Sequence, residues 1–133
     1  MNRLTYPEPG SVVYVCFAGP FRHKGVVTDR WVNGKPTVIA NAIKTKGVKE
    51  ITWDQFEDAR QVFLDNKPAE VDAHVVLWRA RRLIGQAYIP LTFNCEHFVE
   101  VCYGKKPNSA QVVLALAGAL ALVGLLAMAA SEN

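Results

Sequence analysis

The chain has 133 residues, half of them hydrophobic, and its 15 basic and 12 acidic side chains give a net charge of +3. That length suits one small domain with its own core, and so mild a charge excludes nucleic-acid binding driven by electrostatics alone. Three cysteines, Cys16, Cys95 and Cys102, form neither a paired framework nor a metal-ligand cluster, so a reducing compartment and no metal or other cofactor are expected.

In chain order the first elements are strands. Nothing at the N-terminus resembles a signal peptide. Alternating and β-branched runs predict strands at Val12 to Phe17, Gly25 to Arg30, Thr37 to Ala42 and Val48 to Ile51. Asn33-Gly34 is a hairpin signal between the second and third, so the order reads as an antiparallel meander. Cys16, inside the first apolar run, is expected in the core. Thr52-Trp53-Asp54-Gln55 reads as a capping box opening a helix through Phe63, broken at Asn66-Lys67-Pro68. Ala69 to Ile84 predicts a second helix, stopped at Gly85. Tyr88 to Thr92 then leads, extended, to Asn94. The class is α+β, a small antiparallel sheet packed on helices.

Asn94-Cys95-Glu96-His97-Phe98 places a thiol at a helix start. Asn94 is a good N-cap, and the spacing of Phe98, Val99, Val101 and Cys102 fits an amphipathic helix. Cys95 is then the first helical residue. There the unpaired amides and the positive end of the helix dipole favour a thiolate, the nucleophilic form. The competing reading is that a free cysteine is small apolar packing. Cys102 shares the helical face of Cys95 but lies two turns, about 10 Å, along it, too far for a disulfide.

A nucleophilic thiol needs a base, and the chain has three histidines. His97 is about 200° around the helix from Cys95 and points away. His74 falls in the second helix, where a part-exposed position is ordinary. His23 remains, at the start of His23-Lys24-Gly25-Val26-Val27, where Gly25 permits close approach of another backbone. A third polar group normally orients such an imidazole, and Asn41, ending the run Thr37 to Asn41, is the best-placed candidate. In a resting dyad the sulfur and an imidazole nitrogen are expected within about 4 Å.

The stretch Asn94 to Val99, followed by Tyr103-Gly104 and Ser109-Ala110-Gln111, resembles the cysteine box of the lecithin:retinol acyltransferase family. That family includes the small phospholipase A/acyltransferases and is a circularly permuted branch of the papain-like NlpC-type superfamily. Pro9 to Val15 resembles its first strand, His23 to Val27 its histidine strand, and Gly47 to Phe56 the segment leading into its first helix. The resemblance covers roughly Pro9 to Gln111. It implies a permuted papain-like fold, with Cys95 as nucleophile and His23 as base. The third family position is commonly a second histidine, and here Asn41 stands in its place, able to orient an imidazole but without charge.

Ala110 to Ala130 holds no charged residue and Gln111 as its one polar side chain. As a helix it would span about 31 Å, the thickness of a bilayer's hydrocarbon core. Residues 1–108 are therefore expected to form the papain-like domain and 109–133 a single-pass C-terminal transmembrane anchor. Lys105 and Lys106 precede the span and Glu132 follows it, which keeps the domain cytoplasmic. Ala117, Gly118, Ala121 and Gly124 permit close helix association, hence a homo-oligomer through the tail. Arg79, Arg81 and Arg82 either meet anionic headgroups or form a solvated helix face.

Together these features predict a thiol-dependent acyltransferase or phospholipase acting on acyl esters of membrane glycerophospholipids through a thioester on Cys95. The alternatives are a cysteine amidase or peptidase on a membrane-associated substrate, and a noncatalytic membrane interaction module. Substrate-binding residues, acyl chain, headgroup and acceptor are not legible.

Overall fold

The computed structural model describes residues 5–19, 21–65 and 71–104. A five-stranded antiparallel sheet in the order β4-β3-β2-β1-β5 forms the centre: β1 is Val12–Ala18, β2 Phe21–Val32, β3 Lys35–Ala42, β4 Gly47–Ile51 and β5 Phe63–Leu64. The expected meander is present. Asn33 and Gly34 both take positive φ, 53° and 76°, the pairing that a tight hairpin between right-twisted strands requires.

Both faces of the sheet are covered, because successive residues of a strand point to opposite sides. Val13, Val15, Val27, Val38 and Ala40 pack with Trp53 and Phe56 of helix α1 (Trp53–Glu57). Val12, Val26, Ile39 and Val48 pack instead with Val76, Leu77 and Ala80 of α2 (Ala73–Arg82) and Phe98, Val99 and Cys102 of α3 (Cys95–Cys102). Gly25 is obligatory on the α1 side. A Cβ there would come within 2.5 Å of Val38 Cγ1 and 3.0 Å of Phe56 Cε2.

Three expectations need correction. The capping box at Thr52 and Gln55 forms, but α1 lasts five residues, because Asp58 and Ala59 turn into left-handed backbone at φ 47° and 58°. The chain leaves the helix in time for Phe63 to pair with Tyr14 and stack on its ring at 5.3 Å, making β5. Helix α2 begins at Ala73 rather than Ala69, since Asp72 caps it by accepting from the His74 amide. Cys16 is exposed rather than in the core, at the end of β1 opposite Arg22, where the register shifts.

The run expected to cross the membrane, Ala110 to Ala130, lies outside the described residues. Among those described, no helix is long and apolar enough to cross a membrane.

Candidate functional site

Cys95 is the first residue of α3, and the cap before it is complete. The Asn94 side-chain oxygen accepts from the Glu96 and His97 amides at 3.0 and 3.2 Å. In return the Asn94 amide donates to His97 Nδ1 at 3.1 Å. His97 thus closes the box from the third helical position, a role more often filled by Glu or Gln. Its spacing from Asn94 is the signal that sequence reasoning left unused. Its imidazole is buried and points back to the cap, away from any base role. Burial lowers its pKa, and the Glu96 and Glu100 carboxylates partly oppose this.

Asn41 braces the same turn. It is fully buried on β3, and its Nδ2 donates to the Phe93 carbonyl at 2.9 Å and the Asn94 carbonyl at 3.3 Å. Its Oδ1 is buried without a hydrogen-bond partner among the described residues. Strand alternation puts Asn41 in phase with Ile39, on the α3 face of the sheet. It is a positioning residue for the cysteine turn, and no hydrogen bond joins it to His23.

The Cys95 side chain is buried, with 4 % exposure, and its thiol donates to the Arg22 carbonyl at 3.6 Å, a bond only the protonated form can make. The sulfur therefore rests against the first residues of β2, directly beside His23 in the chain. The His23 ring goes elsewhere. It is in phase with Gly25 and Val27, on the α1 face, and lies 5.4 Å from the Phe56 ring centre. Among the described residues no hydrogen bond joins sulfur to imidazole. Burial, with a smaller contribution from the Arg60 charge, lowers the His23 pKa to about 4, so the ring is neutral at pH 7.

Of the three residues that sequence reasoning grouped, then, the fold brings Cys95 and Asn41 to one turn and places the His23 backbone next to it with the imidazole on the other side. Tyr88 was not anticipated. Its hydroxyl pKa is raised chiefly by burial and further by the negative charge Cys95 would carry if ionised. No spacing or motif marks a tyrosine in an irregular connection. Cys102, the other cysteine of α3, is fully buried and its thiol is pushed up to about 12 by burial, so it is inert packing. His74 is exposed on the first turn of α2. No group of His, Cys, Asp and Glu side chains suited to a metal ion occurs among the described residues.

No model of a known protein family matches the chain, and no curated protein sequence matches it.

Proposed function

We propose that this chain is a thiol-dependent acyltransferase or phospholipase acting on acyl esters of glycerophospholipids, with a permuted papain-like fold and a C-terminal membrane anchor that leaves the domain cytoplasmic. The observation that carries the proposal is Cys95 as first residue of a fully capped helix, its sulfur against the backbone adjoining His23. In this reading the neutral His23 imidazole takes the thiol proton and Cys95 Sγ attacks the ester carbonyl. The carbon–oxygen bond breaks, the imidazolium returns its proton to the departing lysophospholipid alcohol, and a thioester remains. Water or an acceptor amine or alcohol then releases the acyl group and restores the thiol. In the same reading the oxyanion takes its hydrogen bond from the backbone amide of Cys95, at the start of α3.

Proton transfer requires the imidazole and sulfur to come within hydrogen-bond reach, so the reading demands a rearrangement at the start of β2. Catalytic contacts often tighten only in a substrate complex. The same observation favours a second reading, a noncatalytic membrane module: a buried thiol bonded to a carbonyl and an imidazole packed on Phe56 are both stable without turnover. Incubating the full chain with labelled phosphatidylcholine, followed by mass analysis of Cys95, separates them. An acyl adduct on Cys95, lost together with turnover in Cys95→Ala, is the expected result. Peptide cleavage without acyl adduct would indicate an amidase, neither product a noncatalytic module, and turnover surviving in Cys95→Ala would overturn the mechanism.

A further inference from the structure

In an antiparallel meander the β1–β2 and β3–β4 connections fall at one end of the sheet, and here that end also carries the start of α3. The connection that precedes Cys95 joins it too, through the pairing of Ala87 with Gly47 and the bond from the Tyr88 amide to the Lys46 carbonyl. This end presents four large apolar side chains to solvent, while Trp78 of α2, 59 % exposed, and Leu64 of β5, 58 %, are exposed elsewhere. Ile43 is 71 % exposed, Leu91 55 %, Ile89 50 % and Phe17 49 %. They come from the end of β1 and from two separate connections, so the cluster is a property of the fold rather than of one hydrophobic run.

The same end is basic. Lys44 and Lys46 flank Thr45 beside Ile43, both are exposed, and neither makes an ion pair among the described residues. Glu96, half-buried in the first turn of α3, is an acidic residue near this end. Exposed apolar tips alternating with free ammonium groups fit a surface that is apolar below and anionic above: hydrocarbon takes the Ile and Leu side chains while phosphate and carboxylate headgroups meet the lysines. Chain length permits it. Helix α3 is about 12 Å long, and residues 105–109 can span up to about 17 Å, so the uncharged C-terminal run could reach a bilayer placed against this end.

We infer that the end of the domain carrying Cys95 is a docking surface for an anionic phospholipid bilayer, entered by Phe17, Ile43, Ile89 and Leu91 and bound through Lys44 and Lys46. The surface rests on the membrane part of the proposed function and is independent of turnover at Cys95.

Hydrogen exchange of the full chain reconstituted in vesicles tests it. In phosphatidylcholine/phosphatidylserine vesicles, exchange at residues 43–46 and 87–92 should slow several-fold relative to detergent, while the Asn33-Gly34 hairpin at the opposite end stays unchanged. Ile43→Asp combined with Leu91→Asp, both at exposed positions, should remove that protection although the tail still anchors the chain. Lys44→Gln with Lys46→Gln should reduce it to the level found in phosphatidylcholine alone. No protection at 43–46 and 87–92, or equal protection at the hairpin, would overturn the surface. Equal protection in the two lipids would overturn the role given to the lysines. Acylation of Cys95 without protection would sink this surface and leave the enzymatic reading standing; protection without acylation would do the reverse.

Discussion

The two faces of the sheet are built alike and used differently. On the α1 side a five-residue helix presses Trp53 and Phe56 onto valines, and the polar residue drawn in is His23. On the other side α2 and α3 cover a larger apolar cluster, and three of the buried polar residues there, Asn41, Asn94 and His97, are tied into the turn that holds Cys95. Neighbours in sequence are thereby parted: the Arg22 carbonyl touches the sulfur, while the next side chain turns toward Phe56. Position in the sequence alone says nothing about which side of a strand a side chain faces.

The comparison can be broken most forcefully through its two buried phenylalanines. Phe98 and Phe56 are both almost fully buried, and each substitution to alanine should cost about 3–5 kcal/mol in urea denaturation. Their effects on Cys95 should differ. In a Cys16→Ser background, which removes the exposed cysteine, Phe98→Ala should speed alkylation of Cys95 by loosening α3, whereas Phe56→Ala should leave it near the parent rate. Equal acceleration by both would mean that the faces are coupled.

Acid provides the next test. The folded-state pKa of His23, about 4, lies below the 6.5 of an unperturbed histidine, so the unfolded chain binds a proton that the folded one refuses. His23 therefore imposes no penalty above pH 6.5, and stability falls as pH drops from there toward 4, by roughly 3 kcal/mol over the whole window. His23→Gln should flatten the stability profile between those limits. An unchanged slope in that variant would show that the imidazole is not held neutral on the α1 face.

The smallest effect concerns the brace on the other side. Asn41→Ala leaves the Phe93 and Asn94 carbonyls without their buried donor and should cost about 2 kcal/mol. It should raise Cys95 alkylation without touching the His23-dependent acid slope. Were Asn41 instead the orienting partner of His23, the slope would move as well.

Local signals carried much of the fold. The Asn33-Gly34 hairpin, the Thr52 box, the Asn94 cap and the four long strands depend on interactions spanning a few residues, so the sequence alone determined them, and with them the α+β class and Cys95 as first residue of α3. The tertiary structure decided what depends on distant pairing. It ended α1 early so that Phe63 could reach β1, exposed Cys16 at a register shift, and recruited Asn41 to the cysteine turn. It also set the phase of β2 against its neighbours. A single-residue step along a strand exchanges its two faces, and only the packing of both α1 and α3 on the assembled sheet fixes which face receives the imidazole of His23.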